Sequence, residues 1–136
     1  MALTEMLDEP SLTRLVTHFY ARLRLDPLLG PLFNRAIADW PEHLQRLAAF
    51  WSSVMLTTGR YKGQPLPAHL RHQAEIRPEM FERWLELWEQ SAAQCLPPEG
   101  AAAVAAKAHR IAASLRMALF PELPPVFVPA TTHASR

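Results

Sequence analysis

A single cysteine, Cys95, stands in the whole chain, which excludes an intramolecular disulfide and any cysteine-based zinc cluster. Glycine is scarce as well. There are four glycines, and neither a glycine-rich phosphate loop nor a G-x-S-x-G elbow is present. An excess of one charge is missing too. Fourteen basic against thirteen acidic residues leave a net charge of +1, without the basic surplus of a strong nucleic-acid binder. No apolar run reaches the roughly 18 residues that span a bilayer. Neither nucleic acid nor membrane is therefore an expected partner. The opening MALTEMLDEPSLTR has early acidic residues and no apolar core, which argues against a secretory signal. A cytoplasmic, reduced protein is the expectation. Runs of alternating apolar residues are also lacking, so strands are not expected.

What is present reads as helix. The 136 residues suit one domain with its own core. Pro10 and Ser11 open the first long segment, with Ser11 as the expected N-cap. Leu12, Leu15, Val16, Phe19, Tyr20 and Leu23 then recur at three- and four-residue spacing. Asp26-Pro27 stops that helix, and residues 27–37 suit one or two turns. Asp39 can cap the next helix, with Pro41 tolerated in its first turn. His43, Leu47, Phe50, Trp51, Val54 and Met55 share a face, and Thr57-Thr58-Gly59 ends it. A loop over 59–67 and a short helix over 68–72 follow. Pro78 starts a strong helix that Pro97-Pro98 breaks. The last helix, 98–120, is alanine-rich and has high intrinsic propensity. Residues 121–136 hold four prolines and read as a disordered or loosely docked tail after a domain over 1–120.

Few side chains offer chemistry. Cys95 near the end of an apolar helix reads as an inert thiol. The acidic residues fall on presumed solvent faces, so paired-carboxylate chemistry has no support. Among six histidines, His18 and His133 read as surface or tail residues, and His109 as core-edge or exposed. His43 heads an apolar stripe, a common place for a partly buried polar residue. His69 and His72, at i and i+3, could share a face and bind zinc, yet no carboxylate joins them. An all-helical chain with isolated histidines also suits a buried planar cofactor. Haem needs one neutral imidazole, an apolar slot and an aromatic ring or two, and no glycine-rich motif.

Four stretches, in order, resemble the truncated haemoglobins of the third subgroup. They are HFYARLRLDPLLGPLFNRAI (18–37), DWPEHLQRLAAFWSSVML (39–56), GRYKGQPLPAHL (59–70) and MFERWLELWEQS (80–91). The resemblance implies a shortened globin fold, a two-over-two helical sandwich around haem b. It implies His69 as the proximal iron ligand and Tyr20 and Trp84 as distal hydrogen-bond donors. His43 matches the variable distal position, and Phe33 the ring that packs on the haem. Leu47 and Trp51 continue the distal wall. His72, one turn beyond His69, leaves a slipped ligand register open.

In such a site iron passes electron density to dioxygen, and two donors in a dry pocket stabilise the partly negative outer atom. The expected function is binding of dioxygen or a related diatomic ligand, with an unidentified reductase as partner. A monomer or weak dimer is expected. The alternatives are a haem enzyme, peroxidase-like or a nitric-oxide dioxygenase, and a cofactor-free helical interaction module.

Overall fold

Proline punctuation and strong caps set the element order. The structure, a computed structural model, describes residues 7–61, 69 and 72–121. Five helices have both ends among the described residues: α1 (Glu9–Leu23), α2 (Gly30–Ala36), α3 (Trp40–Leu56), α4 (Pro78–Cys95) and α5 (Pro98–Leu119). No strand occurs among them. Of the expected loop over 59–67 and short helix over 68–72, residues 62–68, 70 and 71 lie outside the described residues. So does the tail beyond Pro121, including His133.

The start of α1 corrects the sequence reading. Asp8, not Ser11, is the N-cap. Its carboxylate accepts from the Ser11 N–H at 2.9 Å, and the Ser11 hydroxyl accepts from the Asp8 N–H at 3.0 Å. Proline is tolerated in a first helical turn, so the helix begins ahead of Pro10. Such a cap is worth about 1 kcal/mol. Asp39 caps α3 as expected, accepting from the Glu42 N–H at 3.1 Å. Thr57 ends α3 in the left-handed region, at φ 56°.

A tight corner joins α1 to α2. Asp26 accepts there from the N–H groups of Leu28 and Leu29, at 3.1 and 3.0 Å, and from Arg83 Nε at 2.7 Å. The Asp26 side chain is 2% exposed, which corrects the expectation that every acidic residue faces solvent. Three donors offset the cost of burying its charge. Gly30 closes the corner. A Cβ there would stand 2.6 Å from the Arg24 carbonyl oxygen, so no larger residue fits without a shift.

Helix α1 packs on both α3 and α4, and α4 packs on α5. Two helix pairs result, α1 with α3 and α4 with α5, joined where α1 meets α4. Leu12, Leu15, Phe19 and Leu23 supply the α1 face of the core. Trp51 and Trp88 are its largest fully buried side chains. Burying side chains of this kind is worth roughly 1.5–3 kcal/mol each. No helix among the described residues is long and apolar enough to cross a membrane.

Candidate functional site

Beside that core lies a cavity of about 490 Å³. Every residue that the resemblance implies for the site lines it. Tyr20 comes from α1, Phe33 from α2, His43, Leu47 and Trp51 from α3, and Trp84 from α4. His69, on helical backbone between α3 and α4, and His72, in the turn after it, complete the set. Residues up to 64 positions apart thus meet at one hollow. Its volume lies within the roughly 300–1,000 Å³ typical of small-molecule and cofactor sites.

Helical register explains the convergence. His43, Leu47 and Trp51 follow at four-residue steps, which places them along one face of α3. Tyr20 follows Phe19, and the two rings meet edge to face at 4.6 Å. Phe19 is fully buried and also stands edge-on to Trp84 at 5.6 Å. It thereby spaces the phenol of α1 from the indole of α4. Tyr20 is itself buried. Its ring lies 6.1 Å from Phe33, 5.9 Å from Trp40 and 6.2 Å from His43, centroid to centroid.

Electrostatics fix the protonation of two of these groups. Burial pushes the Tyr20 phenol well above its ordinary value, and a hydrogen bond with the Trp84 side chain acts weakly the other way. An indole offers only an N–H, so Trp84 is the donor in that pair. The phenol keeps its own proton and can donate it onward. His43 is half-buried, and its pKa is lowered. Burial is the main cause, the Arg46 cation adds to it, and Glu42 opposes. Its imidazole is therefore neutral at neutral pH, able to donate, accept or bind a metal.

His72 Nδ1 stands 3.7 Å from Glu75, whose carboxylate is held by Arg35 of α2 at 2.7 Å. Among the described residues, no group of three His, Cys, Asp or Glu could hold a bare metal ion. An iron carried in a macrocycle needs only one histidine.

Other residues depart from their expected places. His18 is not a free surface residue: it is half-buried, with Nδ1 3.0 Å from the hydroxyl of fully buried Ser91. The small serine on α4 leaves room for the ring where α1 crosses. His109 is exposed and meets Glu89 at 2.5 Å. Cys95 is half-buried, and burial pushes its thiol up, as an inert cysteine requires. Leu47 and Phe33 line the cavity as expected, but Trp51 does two jobs, since its other face stacks on Trp88 at 4.4 Å.

Sequence reasoning missed Trp40, Arg46 and Tyr61. Trp40 is buried edge-on to His43 at 5.6 Å, with the Arg24 guanidinium 4.6 Å above its ring. Arg46 and Tyr61 line the cavity, as do Asp39 and Glu42, and add polar groups to a largely apolar wall. The spacing of Trp40, His43 and Arg46 at three-residue steps was the available signal.

No family model matches the chain. The group 3 truncated hemoglobin ctb of Campylobacter jejuni is 39% identical over 94 residues, spanning 64% of this chain and 71% of that protein. The crystal structure of group III truncated hemoglobin from Campylobacter jejuni superposes with a TM-score of 0.79 at 32% identity. It covers 88% of this chain and 97% of the other.

Proposed function

The chain belongs to the group 3 truncated haemoglobins, and from that premise we propose that its cavity holds haem b and binds dioxygen or a related diatomic ligand. One observation carries the reading. A phenol and an indole from different helices line one largely apolar cavity that imidazoles also line.

The residues fit the group. Phe33, Leu47, Ile111 and Leu115 give apolar walls for a macrocycle, and Arg46 and Tyr61 give polar partners for its carboxylates. His69 is the proposed axial ligand. His69 keeps the register that the resemblance gives, and His72, which also lines the cavity, is the alternative. When bound, the haem iron supplies a site where a diatomic ligand gains partial negative charge.

The chain's own groups answer that charge. Tyr20 and Trp84 line the same cavity, so the phenol O–H and the indole N–H can each donate to a ligand there. Burial keeps that O–H protonated across the physiological range. Inside a dry cavity both donors act with little dielectric screening. His43, neutral at the same wall, can add a third contact or stand at the ligand's way in.

An absorption spectrum tests the reading. Purified protein titrated with haemin is expected to develop a Soret band with saturable stoichiometry, and His69→Ala to lose it or to need added imidazole. A colourless preparation that ignores haemin would overturn the reading in favour of a cofactor-free module. Normal haem retention in His69→Ala with loss in His72→Ala would move the ligand by one turn. A peroxidase-like activity uses the same donors, and the indoles behind Trp84 favour it as the second reading.

A further inference from the structure

Two walls of the cavity rest on one side chain that does not line it. Trp51 of α3 and Trp84 of α4 both line the cavity. Trp88 of α4 does not, and it is fully buried behind them. The rings of Trp84 and Trp88 lie 5.8 Å apart, centroid to centroid, and within 4° of parallel. Those of Trp51 and Trp88 lie 4.4 Å apart and within 21°.

We propose that Trp88 is a positioning residue for the ligand site: it fixes the ring plane of Trp84, and with it the directions in which the indole N–H can meet a bound ligand. The inference rests on the haem reading and on Trp84 as a donor. An indole N–H lies in the plane of its ring, so whatever holds the plane confines the N–H. A hydrogen bond weakens steeply as it bends, and a donor free to tilt loses much of its effect. A donor held in advance costs no reorganisation when charge develops on the ligand.

Trp88 is itself held from three other helices. Its Nε1 donates to the Val104 carbonyl of α5 at 3.2 Å, which sets the rotation of the ring. Trp51 stacks on it from α3, and Phe19 of α1 stands edge-on at 5.0 Å. Phe19 also meets Trp84 edge-on, at 5.6 Å. A parallel ring and a perpendicular one therefore bound Trp84 together. The sequence sets up the parallel pair, because side chains four residues apart on a helix lie on one face.

The second proposed donor is placed differently. Among the described residues, the Tyr20 ring meets Phe19, Phe33, Trp40 and His43, and not Trp88. Loss of the Trp88 indole thus acts directly on the Trp84 donor and reaches Tyr20 only through Phe19. That asymmetry separates a positioning role from packing alone, which would act on both donors alike.

The experiment uses full-length protein loaded with haemin, reduced, and exposed to carbon monoxide. Absence of a Soret band would remove the haem reading and the proposal with it. The C–O stretching frequency reads the field of the donors around the ligand, and falls as they point at it. In Trp88→Phe the band is expected to move to higher frequency and broaden, and dioxygen release to speed up several-fold. Each donor is then removed in both backgrounds. The effect of Trp84→Phe on the band and on the release rate is expected to shrink several-fold in the Trp88→Phe background, while that of Tyr20→Phe persists. An unchanged band in Trp88→Phe, an undiminished Trp84→Phe effect, or equal shrinkage of both effects would overturn the proposal and leave the haem reading intact. Should Trp88→Phe not fold or not hold haem, the parent protein decides. Labelled with 5-fluorotryptophan, its carbon monoxide complex is expected to give one sharp fluorine resonance for Trp84, identified by its loss in Trp84→Phe. Several lines for that residue would mean that its plane is not held, and would overturn the proposal.

Discussion

Arg83 Nε donates to Asp26 Oδ1 at 2.7 Å, and so ties the residue beside Trp84 to the corner that ends the Tyr20 helix. The two proposed ligand donors are held in register by a pair neither of them belongs to. Asp26 lies below the ordinary carboxyl value of 3.8: burial raises it, but the N–H of Leu29, Arg83 and the N–H of Leu28 together outweigh that. Its contribution is present in full above pH 3.8 and is lost as pH falls through the depressed folded value. Denaturant midpoints are expected to drop below that pH, and Asp26→Asn to flatten the drop. Asp26→Asn is also expected to cost about 1–3 kcal/mol at neutral pH, since buried donors lose their charged acceptor. Equal midpoints for both proteins at pH 7 would count against it.

Tyr20→Phe and Trp84→Phe each remove one donor from the cavity. Dioxygen release is expected to speed up by roughly 5- to 150-fold, equivalent to about 1–3 kcal/mol for a buried hydrogen bond. Stopped-flow dissociation rates provide the check. Because both donors would act on one ligand, the double variant is expected to depart from the sum of the two effects.

His43 is neutral because burial and Arg46 lower its pKa below the ordinary 6.5. Acidification below that lowered value adds a charge beside Arg46, which favours an imidazole turned out to solvent. Carbon monoxide association is therefore expected to accelerate at acid pH in the parent and to lose that dependence in His43→Leu. A flat profile in the parent would leave His43 as a plain wall residue.

Gly30→Ala is expected to lower stability by about 1–3 kcal/mol, because the added methyl meets backbone and not a yielding side chain. A thermal melt would show it. An unchanged melting temperature would mean that the corner relaxes freely.

Local signals were legible in the sequence, and long-range pairings were not. Asp39 and Thr57 bound α3 because a cap and a helix stop are written within a few residues. Tyr20, His43, His69 and Trp84 reach one cavity because motif order carries the fold. Asp26 looked solvent-facing because Arg83, its partner, stands 57 residues away. His18 looked free because Ser91 is 73 residues distant. The first cap was misplaced by three residues because Pro10 was read as a start when it is an interior position of the first turn. Trp88 gave no sign of stacking on Trp51, since that contact depends on how α3 passes α4.

That last contact also has an optical consequence. Indoles 4.4 Å apart and twisted by 21° do not absorb as independent chromophores. Their transitions couple, and the twist makes the coupled pair chiral. Near-ultraviolet circular dichroism will therefore carry a signed couplet that exists only while α3 and α4 are docked. Trp40, set apart against His43 and beneath Arg24, contributes outside it. Closure of the helical frame can thus be followed by light at wavelengths where haem is not needed to report it.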